Sequence, residues 1–337
     1  MDVFITHESA LEFWRLHRRS RKNHVYSPSR KRPSDGSPTS YALRHGEARG
    51  LTLPLDIMVS ELKARRPSKA VVPHVYSSTL SDSAFVDAGN GLYMSSPEFC
   101  FFQMADEYPL GKFIALGLEL CGSYSLPGNV SAGLEQVSSA DRGASGQLSH
   151  SHIAAEQTLY ELPPLTNKRK LKAFTARMEG RPGYNQAIKA LNYIADDSAS
   201  PMETILVILL TLPYRDGGYG LPMPELNGRI YPGKGIRKFS GREFYRGDLL
   251  WREAGVVAEY NSDLEHASPE SIAKDAIRRS DLELCGFYEV TVTKRQIKNV
   301  GLFDNVARQA AAKIRKRLRY KDPEFSRARD ELRGVLL

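Results

Sequence analysis

The stretch RGDLLWREAGVVAEYNSDLEH, residues 246–266, organises the second half of the chain. It predicts two short strands, residues 248–251 and 256–260, separated by a turn. The apolar start of the second strand, VVA, is typical of a strand that is buried on both faces. Asp248 opens the first strand and Glu259 lies near the end of the second.

These two carboxylates predict a metal site. An ionised acid in a buried strand is costly unless it is paired or bound to a cation. Asp248 and Glu259 on neighbouring strands therefore predict a site for a hard divalent ion, Mg²⁺ or Mn²⁺. Glu203, near the start of a predicted helix, can project a third acid towards the same place.

Each acid also has an alternative interpretation. Asp248 can form a surface ion pair with Arg246 or Arg252, which would contribute little to stability. Glu203 follows Ser200 at the spacing of a helix-capping box, S-x-x-E, which requires no metal. Both functions of Glu203 are compatible with each other.

Composition and charge limit the function classes. The 337 residues are enough for two domains, and 41% hydrophobic with 26% charged residues is ordinary for a globular protein. The net charge is +8, and residues 293–337 hold 13 lysines and arginines against 5 acidic residues. Such a basic end predicts a polyanionic partner, with nucleic acid first.

The cysteines and apolar runs predict a cytoplasmic protein without a membrane partner. Cys100, Cys121 and Cys285 have no CxxC spacing, which favours core residues in a reducing compartment. The longest mostly apolar run, residues 205–212, is too short to cross a bilayer. The start, MDVFITHESALEFW, lacks a signal-peptide pattern.

The pattern of elements predicts an α/β (α+β) fold in five segments. These are an N-terminal α/β domain at residues 1–125 with a basic, Ser- and Pro-rich segment at 18–49, a flexible linker at 126–152, a helical bridge at 153–199, a small mixed sheet flanked by helices at 200–300 and a basic C-terminal helix at 301–337.

Four local predictions can be compared directly with a structure. Residues 53–62 predict a short helix, and the bridge is expected to pack onto the second domain. The Gly- and Lys-rich residues 233–238, GKGIRK, predict a loop that lacks the pattern of a phosphate-binding Walker motif. The last helix is predicted at residues 304–319.

The pattern D-(x)10-E-x-N, preceded by a helix with an early glutamate, resembles the restriction-endonuclease-like PD-(D/E)XK nucleases, and the Vsr-like endonuclease domains in particular. The resemblance covers about residues 200–298. The positions that match the family's pattern are Glu203, Asp248, Glu259, His266, Asp275, Arg278, Arg279 and Gly286.

The resemblance implies a restriction-endonuclease-like core and roles for its residues. Asp248 and Glu259 would hold Mg²⁺ or Mn²⁺, and Glu203, Asn261 and His266 would complete the catalytic site. Asn261 stands where the fold usually has lysine and many Vsr-like members have aspartate. Asparagine offers a neutral oxygen ligand but no charge, so the departure bears on turnover more than on fold.

The N-terminal part is weakly similar to AbiEi-type antitoxins of abortive-infection systems. The similarity lies in GLYMSSPEFCF, residues 91–101, and LGLELCGSYSL, residues 116–126. It implies a setting in phage defence or on a mobile element, with a cognate toxin as partner. No helix-turn-helix pattern precedes residue 51.

Basic residues predict contacts with the DNA backbone. Lys234, Arg237 and Lys238 lie in the predicted loop, and Arg278 lies on the helix after the two acidic strands. The last helix contributes Lys313, Arg315, Lys316, Arg317 and Arg319. Such contacts depend on salt and not on base sequence. A partner helix or a solvated face is the alternative for the last helix.

The sequence thus predicts a metal-dependent DNA endonuclease. The alternative is a catalytically inactive DNA-binding protein, or an AbiEi-like antitoxin and transcriptional repressor. Asn261 is the residue on which the two hypotheses differ.

Overall fold

Two β-sheets, one of six strands and one of four, form the framework of the protein. The computed structural model describes residues 2–19, 26–33, 50–76, 80–128, 157–261, 268–319 and 323–337. These fall into two units, the first reaching Ile194 and the second spanning Ala195–Leu337. The mixture of helices with two mixed sheets confirms the predicted α/β fold class.

The sheet of the first unit has the strand order β2-β5-β6-β1-β3-β4. Its strands are β1 (Val3–Ile5), β2 (Ser27–Ser29), β3 (Leu55–Val59), β4 (Val71–Val75), β5 (Phe85–Gly89) and β6 (Leu92–Ser95). β1 pairs parallel with β6 and antiparallel with β3, which pairs parallel with β4. At the centre, the ring of Phe4 packs against those of Phe85 and Tyr93 at centroid distances of 4.9 and 4.8 Å.

Five helices belong to the described part of this unit. They are α1 (His7–Arg19), α2 (Pro97–Gln103), α3 (Leu110–Leu120), α4 (Lys168–Ala176) and α5 (Tyr184–Leu191). Ser96 caps α2 by accepting a hydrogen bond from the Phe99 N–H, and Pro97 takes the first helical position, where a missing N–H costs nothing.

The helix predicted at residues 53–62 is wrong. Residues Leu55–Val59 form β3, and Leu62–Ala64 form a single 3₁₀ turn. The sequence LDIMV suits either structure locally. Its pairing between β1 and β4 decides the outcome, because Leu55, Ile57 and Val59 are all buried in the sheet.

The start of the basic segment, Arg18 and Arg19, is part of α1 and binds the backbone of the first unit. Arg18 is 7% exposed and donates to the carbonyl oxygens of Tyr124, Gly122 and Pro163 at 2.5, 3.0 and 3.0 Å. Arg19 donates to those of Leu126 and Gln157 at 3.0 and 2.6 Å. Residues 20–25 and 34–49 lie outside the described part.

The linker predicted at residues 126–152 lies outside the described residues from 129 onwards. On either side of it the chain comes back to the same place. Ser125 and Leu159 form an antiparallel bridge in which each N–H donates to the other's carbonyl, at 2.9 and 3.0 Å.

The helical segment expected to pack onto the second domain packs onto the first unit instead. Phe174 on α4 contacts Phe99 on α2 at a ring distance of 5.7 Å. Gly183 precedes α5 with φ +78°, and a Cβ there would lie 2.9 Å from that of Ala105. This close approach, together with the buried apolar face of both helices, fixes them against α2 and α3.

The second unit carries a four-stranded sheet in the order β10-β9-β8-β7. Its strands are β7 (Glu225–Ile230), β8 (Tyr245–Trp251), β9 (Val256–Asn261) and β10 (Tyr288–Thr293). β7, β8 and β9 form an antiparallel meander, whereas β10 pairs parallel with β9 after a helical crossover. The two strands predicted from residues 246–266 therefore lie side by side in the middle of this sheet.

The second unit also contains six described helices, several of which pack on the sheet. They are α6 (Pro201–Thr211), α7 (Lys234–Ser240), α8 (Pro269–Leu284), α9 (Lys294–Lys298), α10 (Val300–Ile314) and α11 (Pro323–Leu336). α6 is buried along its whole length and contacts β8 and β9. Leu282 on α8 packs on the other residues of the core, which are Ile230, Tyr245, Leu250 and Val257.

Two predictions for this unit are wrong in detail. The predicted loop at residues 233–238 is part of α7, which buries none of its residues and ends at Gly241 with φ +65°. The single helix predicted at residues 304–319 ends early, at Ile314, because Arg315 takes a left-handed conformation with φ +59°. A second helix, α11, follows and buries Phe325 and Leu336.

Within the described ranges, none of the helices combines the length and the apolar character that crossing a bilayer requires.

Candidate metal and nucleic-acid site

Asp248 lies at a break in the ladder between β7 and β8. Leu226 pairs with Leu249 and Gly228 with Gly247, so Asn227 and Asp248 face each other between two paired positions. Asn227 has φ +51°, in the left-handed region that asparagine tolerates better than most residues. The backbone is therefore distorted beside the acid, as is common next to functional sites.

The carboxylate of Asp248 is tied to the neighbouring strand. Its Oδ2 atom accepts a hydrogen bond from the Tyr260 N–H at 2.7 Å. The ion pair with Arg252 that was the alternative interpretation is not formed, because Arg252 pairs with Glu225 at 2.5 Å.

Glu259 lies next to Asp248, on β9. The residues before it, Val256–Ala258, are fully buried as the apolar run predicts. Its Oε1 atom accepts a hydrogen bond from Nη2 of Arg278 at 2.6 Å. Gly247 lies close to both Val257 and Glu259. A Cβ at this position would lie 2.4 Å from a methyl carbon of Val257 and 3.7 Å from Oε1 of Glu259.

Glu203 approaches from the first turn of α6. Ser200 caps this helix by accepting the Glu203 N–H at 3.1 Å, so the capping interpretation holds. The carboxylate of Glu203 also accepts the side-chain amide of Asn227, on β7, at 2.7 Å and the N–H of Ala199, just before the helix, at 3.0 Å. One residue thus serves both the helix cap and the acidic cluster.

Burial raises the pKa values of all three acids, and neighbouring carboxylates add to the effect at Asp248 and Glu259. Burial, then the charges of Glu259 and Glu203, raise the pKa of Asp248 to about 8. Burial raises the pKa of Glu259 to about 7, against the opposing effect of Arg278. Burial also raises the pKa of Glu203. Acids that resist ionisation in this way favour a bound cation and are typical of functional sites.

Arg278 is the cation that the cluster already contains. It donates to Glu259 and to the carbonyl oxygen of Arg246, at 2.6 and 2.7 Å, and its Nη1 atom lies 3.4 Å from Glu289. Arg279 extends the network towards Glu289 and Thr291. Arg278, predicted as a nucleic-acid contact, therefore has its guanidinium committed to carboxylates of its own chain.

Asn261 ends β9 beside the same cluster. Its side-chain amide donates to Asp275 on α8 at 3.3 Å. His266 lies outside the described residues, as do its neighbours in the range 262–267. Of the five residues predicted for catalysis, the structure thus brings together Glu203, Asp248 and Glu259, whereas the side chain of Asn261 contacts Asp275.

The predicted phosphate contacts occupy two places. Lys234, Arg237 and Lys238 are exposed on α7, which packs near α8. Lys313 is exposed near the end of α10, and Arg315, Lys316, Arg317 and Arg319 follow that helix instead of lying on it. Lys313 and Arg315 line a groove of about 710 Å³ together with Trp251 and Arg252.

Comparison with known proteins gives distant relatives. Two uncharacterized proteins of Mycobacterium tuberculosis, one from strain CDC 1551 / Oshkosh and one from strain ATCC 25618 / H37Rv, are each 28% identical over 123 residues. The match covers 36% of this chain and 41% of each relative. No family model and no solved structure matches.

Two residues of the cluster were not predicted. Asn227 donates a hydrogen bond to Glu203, and its side chain reaches Glu203 from a left-handed backbone at the break in the ladder, which the sequence does not indicate. Glu289 lies on β10, two residues before Thr291, which is opposite Glu259 in the register. The alternation of FYEVTV could have placed Glu289 and Thr291 on the face opposite to the buried Val290 and Val292.

Proposed function

We propose that the second unit is a metal-dependent DNA endonuclease of the PD-(D/E)XK type, acting in the cytoplasm in phage defence or on a mobile element. The observation that carries this proposal is the pair of partly buried carboxylates, Asp248 and Glu259, on adjacent strands. Their pKa values are raised to about 8 and about 7 by burial and by neighbouring acids. A hard divalent ion bound by the two carboxylates would stabilise their ionised forms.

The donor set fits Mg²⁺ or Mn²⁺. Asp248 and Glu259 offer carboxylate oxygens, and Asn261 offers an amide oxygen at the end of the same strand. When bound, such an ion polarises a phosphate and lowers the pKa of a water ligand. Histidine or cysteine ligands, which softer metals prefer, are not among the described members of this cluster.

The remaining residues hold these acids in place. Asn227 and Ser200 fix Glu203, and the Tyr260 N–H fixes Asp248. Arg278 offsets the charge of Glu259 and can turn towards a substrate phosphate when a metal takes over that function. The antiparallel strands β7, β8 and β9 behind α6, followed by α8 and the parallel strand β10, also support a restriction-endonuclease-like core.

A duplex substrate is supported by the charge of the surface. Lys234, Arg237 and Lys238 on α7, and the basic residues that follow α10, are exposed and available to backbone phosphates.

A plasmid-nicking assay with the full chain tests the proposal. The wild type is incubated with supercoiled plasmid and either Mg²⁺, Mn²⁺ or a chelator. We expect nicking that requires the metal, and a loss of at least about 100-fold in D248N. The matched control is E283Q, which neutralises an exposed carboxylate on α8. Intact plasmid under every condition, or equal activity of D248N and E283Q, contradicts the proposal.

A second candidate function is a DNA-binding protein that keeps the fold without turnover. Two observations favour it. Asn261 supplies no positive charge, and Arg278 already neutralises Glu259. In this case a gel-shift assay would show salt-sensitive DNA binding with no cleavage in any metal. An AbiEi-like repressor with a cognate toxin stays a prediction within this second candidate.

A further inference from the structure

The first unit contains a cluster of side chains that the proposed nuclease does not use. His7 is the first residue of α1, His74 lies on β4, and Glu107 follows α2. One ligand atom from each lies within 4.8 Å of the other two. Nε2 of His7 is 3.8 Å from Oε1 of Glu107, and the two imidazole rings stack at a centroid distance of 3.8 Å.

We propose that His7, His74 and Glu107 bind a divalent transition-metal ion such as Zn²⁺, with one coordination position left open. Two imidazoles and one carboxylate are a common donor set for zinc when an exchangeable ligand completes the tetrahedron. This inference concerns a different unit from the nuclease and does not depend on it.

The second ring nitrogen of each histidine already has a partner. Nε2 of His74 lies 2.8 Å from Oδ1 of Asp56, so it can donate its proton to that carboxylate and leave Nδ1 for a metal. Nδ1 of His7 lies 2.9 Å from the hydroxyl of Thr6, which leaves Nε2 on the side of Glu107. A carboxylate behind a histidine is the usual support of a metal-binding imidazole.

Asp56 is itself fixed by α1. Its backbone N–H donates to the hydroxyl of Ser9 at 2.9 Å, and its Oδ2 atom lies 3.4 Å from the same hydroxyl. The ring of His74 is therefore oriented by residues on two other elements. Such support suits a ligand whose direction must be set before the metal arrives.

The backbone at His7 is held in an uncommon conformation. His7 has φ +49°, and its N–H donates to the side-chain oxygen of Gln103 at 3.3 Å. The preceding Thr6 N–H donates to the carbonyl of Asp56 at 2.9 Å. A histidine kept in the left-handed region by its surroundings is a feature that functional sites often show.

The distances allow a metal after a small movement. Two ligand atoms on a tetrahedral zinc lie about 3.4 Å apart. Separations of up to 4.8 Å therefore need to close by up to about 1.4 Å, and Glu107 can supply part of this because its side chain is 40% exposed.

A cavity of about 450 Å³ opens beside the cluster. Both histidines and Glu107 line it, together with Tyr76, Arg65 and Arg181. The open coordination position can therefore be reached by a small ligand.

The test is direct metal binding by the full chain. The chain carries D248N, so that the carboxylates of the second unit do not contribute, and has no histidine tag. After chelator treatment, it is titrated with Zn²⁺ alone against a chromogenic competitor, and separately with Co²⁺ under visible spectroscopy. We expect a site of micromolar or tighter affinity and the intense visible bands of tetrahedral Co²⁺.

Variants assign the site. E107Q is expected to weaken Zn²⁺ binding at least about 10-fold, and D56N, a positioning residue, by about 10- to 100-fold. E179Q, an exposed glutamate of the same unit, is the matched control. H74Q should abolish the Co²⁺ bands, with circular dichroism checking its fold. No binding at micromolar Zn²⁺, or equal affinity in E107Q and E179Q, overturns the proposal.

Discussion

Arg278 donates a hydrogen bond to Glu259 with 2.6 Å between its Nη2 atom and the Oε1 atom of the carboxylate. The pair spans α8 and β9, and the Glu259 side chain is 13% exposed. Replacing Arg278 with glutamine leaves this acid without its cation. We expect R278Q to lower the free energy of unfolding by about 2 kcal/mol, as measured by urea denaturation.

The neighbouring Arg279 supplies the control. Its side chain is 51% exposed and lies 3.6 Å from Glu289, so R279Q should cost less than about 1 kcal/mol. Mn²⁺ should restore more stability to R278Q than to the wild type, because the ion can take the place of the guanidinium. Equal losses of unfolding free energy in R278Q and R279Q would mean that the ion pair with Glu259 stabilises the fold no more than the exposed pair does.

Stability should fall as the pH rises through neutrality. Burial, then Glu259 and Glu203, raise the pKa of Asp248 from 3.8 to about 8, so the folded protein binds a proton that the unfolded chain has released. The free energy of unfolding therefore decreases with pH between about 4 and 8, by on the order of 3 kcal/mol from pH 5 to pH 8. Denaturation curves across this range should show a shallower fall in D248N.

Glu283 supplies the control variant for the comparison of D248N with the wild type. It is exposed, so E283Q should follow the wild-type pH dependence. Added Mg²⁺ should stabilise the wild type more at pH 8.5 than at pH 6, because the metal binds the ionised carboxylates. A D248N profile that matches the wild type would show that another group is responsible.

Asn227 should contribute through its side chain and its backbone separately. N227A removes the side-chain hydrogen bonds to Glu203 and to the carbonyl oxygen of Asp197 and places an alanine at φ +51°, whereas N227G removes the hydrogen bonds at a residue that tolerates this φ. We expect N227A to be about 1 kcal/mol less stable than N227G, and both to be less stable than the wild type. Thermal or urea unfolding of the three proteins measures both effects. An N227A as stable as N227G would show that the left-handed backbone carries no strain.

The exposed face of α7 should contribute to DNA affinity. The triple variant K234Q/R237Q/K238Q removes three cations from one short helix. If all three contact phosphates, the slope of log affinity against log salt should fall by about 2 to 3 units. K170Q/K172Q, on α4 of the first unit, removes exposed charge elsewhere and should leave the slope nearly unchanged. Fluorescence anisotropy with a duplex at several salt concentrations gives both slopes.

The sequence predicts the centre of the second unit better than its surroundings. The apolar run before Glu259 places this strand in the sheet, because only a buried strand tolerates Val256, Val257 and Ala258 together. The sequence does not show that Arg278 is the partner of Glu259. That contact depends on the packing of α8 near β9, which brings Arg278 within hydrogen-bond distance. The position of Asn227 depends on a break in the pairing of β7 with β8 that no local sequence pattern predicts.

The first unit shows the same limit over longer separations. The segment LDIMV becomes a strand because β1 and β4 pair on either side of it, and β1 lies about 50 residues away in the chain. His74 alone indicates an ordinary core histidine. Its neighbours His7 and Glu107 come from elements that are distant in sequence, so their meeting depends on the whole sheet.

The guanidinium groups of Arg18 and Arg19 hold together two points of the chain that are separated by about 30 residues. They bind carbonyl oxygens at Gly122, Tyr124 and Leu126 on one side and at Gln157 and Pro163 on the other. Two backbone segments that are distant along the chain, residues 122–126 and 157–163, are therefore fastened to the same end of α1 by side-chain donors and to each other by the bridge between Ser125 and Leu159.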